Sequence, residues 1–192
     1  MRIIDNRFYL DKSGNSIPGL YLMEPSLHED ERGYFFEAYN KAWFEYVIGE
    51  YNFVQDNESL SGYGVLRGFH YQLPPYQQAK LVRVVRGEVI DVVVDLRRNS
   101  DTYGETFHVF LSGENQRQFF IPEGFAHAFL CLRDGTIFQY KCNNFYDKDS
   151  ERCIRYDDPF IGFEWEHYID KEKIRVSFKD KEGLSWEDAE KM

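Results

Sequence analysis

The chain has 192 residues, which is enough to bury roughly 70% of the unfolded surface around one core, and we expect a single domain over residues 1–192. It carries 33 acidic against 23 basic side chains, and the formal net charge of −10 disfavours binding to nucleic acid or to an anionic membrane. Charged residues interrupt the N-terminal region, so the sequence predicts neither a signal peptide nor a transmembrane helix and indicates a cytoplasmic protein.

The first predicted elements are a short strand over residues 19–25 and a helix from Asn40 to Tyr51. Asn40 is a suitable N-cap, and Trp43 and Val47 follow it at helical spacing. This helix is expected to be one of few.

From Lys80 onward the pattern changes to short β-branched and aromatic runs separated by turn residues. The runs are KLVRVVRG, EVIDVVVDL, ETFHVFL, RQFFIP, AHAFLCL and TIFQYKC. Many short strands of this kind predict an all-β sandwich or barrel with a few short peripheral helices. Near the C-terminus, Ser185 followed by Asp188 resembles a capping box and predicts a short terminal helix.

Three cysteines, Cys131, Cys142 and Cys153, occur without a C-x-x-C pair. An odd number of thiols cannot all pair within one chain. We therefore predict reduced, partly buried thiols and a reducing compartment.

The densest polar set lies in the stretch QDNESLSGYGVLRGFHYQLPPYQQAKLVRVVRG. Its members are Gln55, Asn57, Arg67, His70, Gln72 and Lys80. A net-acidic protein is expected to place Arg67 and Lys80 together mainly to hold an anion, although a lone histidine such as His70 is often just a hydrogen-bonded core residue. A regular strand sends Arg67 and His70 to opposite faces, so either Gly68 lies in a bulge or one of the two acts from elsewhere.

A second histidine, His127, follows the turn Pro122-Glu123-Gly124 and enters the next strand, which is a usual ligand position at the mouth of a barrel. Many small β-barrels bind a transition metal through a His-x-His pair, but this chain has His70-x-Gln72. The sequence therefore predicts a site without metal.

Two later segments also carry chemistry. Tyr140 and Tyr146 lie close to Glu151 along the chain, and a phenol is able to protonate a carbanion that a base has formed. Lys179 and Asp180 follow a β-like run, where a charged pair is ordinarily solvated, and their interest depends on whether Asp180 reaches the histidine of the first set.

Collinear segments along nearly the whole chain resemble those of the dTDP-4-dehydrorhamnose 3,5-epimerase family, which are cupin-type enzymes of nucleotide-sugar biosynthesis. The segments are DERGYFFE, FVQDNESLS, GVLRGFHYQ, KLVRVVRGEVIDVVVDLRRNSDTYG, IPEGFAHAF, YKCNNFY and DDPFIGFEW. The resemblance implies an all-β, cupin-type jelly-roll β-sandwich, a homodimer, and catalysis without metal or organic cofactor.

The resemblance also implies roles for individual residues. His70 is the general base, Asp180 orients it, and Tyr140 is the acid on the opposite face of the sugar. The implied substrate-binding residues are Arg32, Glu37, Gln55, Asn57, Arg67, Lys80, His127, Glu151 and Lys179, with Tyr146 an aromatic neighbour of the ligand.

The expected substrate is a dTDP-4-keto-6-deoxyhexose, in which the C4 ketone acidifies the hydrogens at C3 and C5. One base is then able to form an enolate on either side, and Lys80 and His127 are candidates to hold the oxyanion. Arg32, Arg67 and Lys179 are candidates to neutralise the diphosphate. Two alternatives stay open at this point: an epimerase that inverts a single centre of a related nucleotide sugar, and a non-catalytic sugar-nucleotide-binding cupin.

Overall fold

A computed structural model describes residues 1–3 and 19–192, and its regular structure is mainly β. The strands are β1 Arg2–Ile3, β2 Tyr21–Glu24, β3 His28–Asp30, β4 Gly33–Phe35, β5 Gln55–Ser61, β6 Val65–Gln72, β7 Lys80–Arg86, β8 Glu88–Asp95, β9 Thr106–Ser112, β10 Gln118–Ile121, β11 Phe125–Cys131, β12 Thr136–Cys142, β13 Glu151–Cys153 and β14 Arg175–Val176. The helices are α1 Lys41–Val47 and α2 Phe178–Lys181, with short 3-10 turns at Trp165–His167 and Lys171–Lys173.

Two antiparallel sheets face each other. The first has the order β1-β2-β10-β7-β12-β5, and the second has the order β13-β6-β11-β8-β9, with β14 added in parallel to β6. Alternate side chains of both sheets fill the space between them, including Val82 and Phe138 from the first and Val93 and Phe129 from the second. The prediction of an all-β jelly-roll sandwich with few short helices is confirmed.

The outer faces of both sheets pack against other parts of the chain. Phe44 of α1 packs on Leu81 and Phe120 outside the first sheet. Trp165 and Trp186 of the C-terminal region pack outside the second sheet. Within the described residues, no helix is both long and apolar enough to span a membrane.

Helix α1 begins where the sequence predicts and ends earlier. The Asn40 side chain accepts a hydrogen bond from the Trp43 amide at 3.0 Å, which confirms the predicted N-cap. The helix ends at Val47 because Gly49 adopts a φ of 129°, outside the helical region. Tyr51 therefore lies beyond the helix, and its ring packs edge-on against the neighbouring aromatic cluster.

The C-terminal helix predicted after Ser185 is wrong. Ser185 Oγ accepts a hydrogen bond from the Asp188 amide at 3.1 Å, as a cap does, but only a turn follows. The chain instead runs back to the second sheet, where the backbone of Met192 exchanges hydrogen bonds with Leu96 and Arg98. Those contacts are incompatible with a continuing helix.

A bulge in β6 determines the direction in which the polar side chains of this strand point. Arg67 lies opposite Phe129 of β11, but His70 lies opposite His127, so β6 carries one extra residue in this interval. Gly68 occupies the bulge with a φ of 126°, and a Cβ atom there would lie 2.5 Å from backbone atoms of β11. The expectation of a bulge at Gly68 is confirmed, and the extra residue changes the alternation of side chains between Arg67 and His70.

Candidate active site

The polar residues of the site line the inner faces of both sheets, towards the start of β5 and β7 and the end of β6 and β12. The first sheet contributes Gln55, Asn57, Lys80 and Tyr140, and β12 places Tyr140 directly opposite Asn57. The second sheet contributes the two histidines, which are cross-strand neighbours. Two strand-borne sets of polar groups therefore face each other across a narrow space.

His70 and Asp180 form the first catalytic candidate pair. His70 Nε2 lies 2.8 Å from Asp180 Oδ1, although the two residues are 110 positions apart. Asp180 is held in place because its amide donates to the Ser177 side chain at 3.1 Å, while its Oδ2 accepts from the Gly68 amide at 3.4 Å. Ser177 caps the one-turn helix α2, so Asp180 projects from a helix rather than from a strand end.

The pKa of Asp180 is lowered. Burial opposes ionisation of this carboxyl, but the hydrogen bond and charge of His70, together with the Gly68 and Ser177 bonds, outweigh it. An ionised carboxylate at Nε2 fixes a proton on that nitrogen. Nδ1 of His70 is then the atom free to accept a proton.

A second pair, His127 and Asp91, is fully enclosed. His127 Nε2 lies 2.8 Å from Asp91 Oδ2, while Asp91 Oδ1 is buried without a hydrogen-bond partner. Burial lowers the pKa of His127 and raises the pKa of Asp91, in each case against the influence of the partner. The charge of Lys80 acts to lower the pKa of both groups.

Tyr140 and Lys80 stand next to each other on the first sheet. The Lys80 ammonium lies 6.0 Å from the centre of the Tyr140 ring. Burial raises the pKa of Tyr140, so its phenol keeps its proton at neutral pH. Burial also lowers the pKa of Lys80, opposed by the negative groups around it, among them Asp91 and Glu151.

A chain of hydrogen bonds joins several of the predicted binding residues at the rim. Gln55 Nε2 donates to Asn57 Oδ1 at 3.0 Å, and Gln55 Oε1 accepts from the Tyr146 amide at 3.0 Å. The Tyr146 hydroxyl donates to Glu151 at 2.9 Å, and Lys179 pairs with the same carboxylate. Burial opposes ionisation of Glu151, but its bonds to Lys179 and Tyr146 lower its pKa overall.

Arg67 spans the two sheets. Its guanidinium donates to Ser61 Oγ of β5 at 3.2 and 3.3 Å. Burial raises the pKa of Tyr140, and the charge of Arg67 opposes this. Arg67 is thus a fixed positive charge beside the acid candidate.

The structure does not place Arg32 and Glu37 in this cluster. Arg32 is exposed on the β3–β4 hairpin, where its side chain pairs with Asp30. Glu37 follows the same hairpin and is exposed. Sequence order could not show this, because both residues belong to a segment that projects from the sandwich.

The residues at the metal position of cupin-type barrels do not fit a metal. The Gln72 amide group donates to the carbonyls of Tyr76 and Phe145 at 2.5 and 3.2 Å, and its oxygen accepts from the Asp147 amide at 2.8 Å. Gln72 is thus committed to the backbone. His127 is likewise committed to Asp91.

Sequence reasoning missed Asp91, Ser61 and the position of Cys153. Asp91 had a signal, because an acidic residue inside the apolar run EVIDVVVD needs a partner when that strand is buried. All three cysteines are free, as predicted. Cys153 lies opposite His70 in the β13–β6 register, which its spacing along the chain does not reveal.

A cupin-type sandwich with a partly exposed His–Asp pair and a protonated phenol has the groups that an enzyme needs for proton transfer at carbon. Comparison with known proteins makes this specific. A family model described as dTDP-4-dehydrorhamnose 3,5-epimerase matches residues 14–188. The enzyme of that name from Shigella flexneri is 50% identical over 175 residues, which are 91% of this chain and 94% of that protein.

Solved structures agree. The dTDP-4-dehydrorhamnose 3,5-epimerase from Elizabethkingia anophelis NUHP1 superposes with a TM-score of 0.87 at 42% identity, covering 98% of this chain and 97% of that one. The dTDP-6-deoxy-D-glucose-3,5-epimerase from Legionella pneumophila, solved in complex with dTDP-4-keto-L-rhamnose, superposes with a TM-score of 0.85 at 42% identity and covers 96% and 92%. The chain belongs to the dTDP-4-dehydrorhamnose 3,5-epimerase family, and it is an isomerase.

Proposed function

We propose that this epimerase inverts C3 and C5 of dTDP-4-dehydro-6-deoxy-D-glucose through His70 as base and Tyr140 as acid, giving dTDP-4-dehydro-L-rhamnose. The observation that carries the assignment is the 2.8 Å pair of His70 and Asp180, which faces the inner side of the sheet that bears Tyr140. Family membership supports the substrate and the reaction.

The pair of His70 and Asp180 removes the proton from the sugar. Asp180 accepts a hydrogen bond from the Nε2–H group, so Nδ1 of His70 takes a proton from C3 or C5 of the sugar. The electrons of the broken C–H bond form a C=C bond, and negative charge moves to the C4 oxygen. The ionised Asp180 stabilises the imidazolium that results.

The enolate oxygen needs a positive partner. Lys80 has the charge for this role, and its lowered pKa reflects the cost of holding an ammonium there. His127 is the second candidate, and its bond to Asp91 fixes the orientation of its ring.

Inversion requires a proton from the other face of the sugar. The Tyr140 phenol donates its proton to the carbon that His70 deprotonated, so the C=C bond becomes a new C–H bond of opposite configuration. The imidazolium then loses a proton and the phenolate gains one through solvent, which restores both groups for the second centre.

The nucleotide diphosphate is expected at the basic rim. The Nε and Nη2 groups of Arg67 donate to the neutral hydroxyl of Ser61, which leaves the other guanidinium donor for a phosphate oxygen. Lys179 already pairs with Glu151, so it binds a phosphate oxygen while it keeps its contact with that carboxylate. Gln55, Asn57 and Tyr146 complete the proposed binding set.

We also propose a cytoplasmic homodimer, in which Arg32 and Glu37 of one copy serve the site of the other. Both residues lie on an exposed segment of their own chain, and the hairpin that carries them exposes 56% of Tyr34 and 71% of Phe35. Such large apolar side chains favour a protein partner. Sedimentation analysis of the purified chain tests the dimer, and a monomer would contradict it.

The reaction is tested by the stereochemistry of the product. Incubation with dTDP-4-dehydro-6-deoxy-D-glucose, followed by chemical reduction of the ketone and NMR analysis, is expected to show inversion at both C3 and C5. Inversion at one centre would identify a single-centre epimerase. Binding without any conversion would identify a sugar-nucleotide-binding cupin.

A further inference from the structure

A thiol lies beside the catalytic dyad, and the proposed reaction does not use it. One nitrogen of His70, the Sγ atom of Cys153 and a carboxylate oxygen of Asp180 all lie within 4.8 Å of one another. Cys153 and His70 are paired across β13 and β6, so their side chains leave the sheet on the same side. Three different ligand types thus converge at one point of the site.

The ligand types select a class of metal. Imidazole, thiolate and carboxylate together suit Zn²⁺ and Cd²⁺, whereas Mg²⁺ and Ca²⁺ prefer ligand shells made of oxygen. Bonds of about 2.0–2.3 Å to a tetrahedral Zn²⁺ place the ligand atoms about 3.5 Å apart. Side-chain rotations that move the ligand atoms by about 1 Å bring the present spacing to this value. His70 is exposed enough to admit an ion.

The local charge favours a dication. The carboxylate of Asp180 is a member of the cluster, and a carboxylate attracts a divalent cation. The cation in turn neutralises the thiolate that forms when the thiol proton leaves to solvent.

We propose that Cys153, His70 and Asp180 form an inhibitory site for Zn²⁺ or Cd²⁺. The metal takes the place of the proton on Nε2 of His70, which moves to Nδ1 of the neutral ring, and the thiol proton leaves to solvent. Nδ1 then has no lone pair with which to accept a proton from the sugar. The inhibition rests on the proposed role of His70 as base, whereas the binding itself does not. Catalysis without metal and inhibition by metal then follow from the same residues.

Two measurements on the full chain test this site. In the first, Cd²⁺ is titrated into the protein and the ultraviolet charge-transfer absorption of a cadmium–thiolate bond is recorded. In the second, epimerase activity is measured against increasing Zn²⁺, with Mg²⁺ in parallel, and recovery is measured after EDTA. The variants are Cys153→Ala and, as a thiol control away from the dyad, Cys131→Ala. Cys153→Ser keeps the side-chain volume and replaces the alanine variant if that variant is unstable.

We expect a cadmium–thiolate band in the wild type and in Cys131→Ala, and its loss in Cys153→Ala. Half-inhibition of Cys153→Ala should need at least about tenfold more Zn²⁺ than the wild type, while its activity without metal stays unchanged. Mg²⁺ should not inhibit. A band that persists in Cys153→Ala, or equal Zn²⁺ sensitivity of the two proteins, would overturn the proposal. A chain that binds Cd²⁺ through Cys153 but lacks epimerase activity would contradict the proposed function and leave the metal site supported.

Discussion

Two His–Asp pairs are built on neighbouring histidines of the second sheet, and they differ in burial rather than in the hydrogen bond that joins them. In each pair an Nε2 atom lies 2.8 Å from a carboxylate oxygen, and the two histidines are opposite one another in the β6–β11 register. The side chains of His70 and Asp180 are 31% and 5% exposed, whereas those of His127 and Asp91 are 7% and 0% exposed.

The difference in burial shifts the pKa values of the two carboxylates in opposite directions. The pKa of Asp180 is lowered, because its hydrogen bonds and the charge of His70 outweigh the cost of burial. The pKa of Asp91 is raised, because burial dominates and one of its oxygens has no partner. A base must exchange its proton with a ligand and with solvent, so the more open pair is suited to catalysis and the enclosed pair to holding the site in shape.

The largest effect is expected in His70→Asn. This change removes the base, and turnover should fall by about 10²–10⁴ or more while nucleotide binding is largely kept. Steady-state kinetics and nucleotide titration measure the two quantities. His167→Asn is the matched control, because His167 is exposed and pairs with Glu164 instead of belonging to either His–Asp pair. If turnover in His70→Asn stays within a few-fold of the control, the division between the two pairs is wrong.

His127→Ala tests the enclosed pair. It leaves Asp91 buried without its partner, and the free energy of unfolding should fall by about 3–5 kcal/mol. Urea denaturation of this variant beside His70→Asn gives the comparison, since His70→Asn should lose much less stability. Equal losses in the two variants would mean that burial does not separate the pairs.

Asp180→Asn should lower turnover by about 10² or more, because the amide no longer fixes the ring tautomer of His70. The control is Asp188→Asn, which removes an exposed carboxylate at the C-terminal turn. A variant with wild-type kinetics would show that Asp180 does not orient the base.

Asp180 also contributes a pH-dependent part of stability. Its folded pKa lies below the ordinary value of 3.8, so this contribution is present above pH 3.8 and is lost as the pH falls through the folded pKa. The difference in unfolding free energy between wild type and Asp180→Asn should therefore be greatest at neutral pH and shrink below about pH 4. A difference that is constant between pH 3 and pH 7 would contradict the lowered pKa.

The smallest effect is expected from removal of metal. Prolonged chelation should leave turnover unchanged, because Gln72 and His127 are committed to other partners and no shell forms at the usual cupin position. Loss of activity that zinc, manganese or iron restores would overturn this prediction.

Much of the fold was predictable, because local chemistry governs it. The strand runs from Lys80 onward and the Asn40 cap follow from side-chain type and turn residues. The prediction of a terminal helix after Ser185 was wrong, because backbone hydrogen bonds between Met192 and the second sheet outweigh the local capping signal. Tertiary contacts of this kind leave no trace in the nearby sequence.

The sequence pointed to several residues that the fold brings together, but it did not show how they are arranged. Motifs pointed to His70, Tyr140 and Asp180, but the contact between His70 and Asp180 depends on a bulge at Gly68 and on the short helix α2. The exposed position of Arg32 depends on the hairpin and on the rest of the fold, which sequence spacing does not describe.

In the proposed reaction His70 and Tyr140 act on opposite faces of the sugar, and a deuterium experiment with Tyr140→Phe tests this directly. In D₂O the variant should still form the enolate, and His70 should return the proton to the original face. The ratio of deuterium incorporation to stereochemical inversion should therefore rise well above that of wild type, while His70→Asn suppresses both. Tyr46→Phe, an exposed phenol on α1, is the control and should match wild type. Equal loss of exchange and inversion in Tyr140→Phe would mean that the phenol forms or holds the enolate, and it would contradict the assignment of the acid.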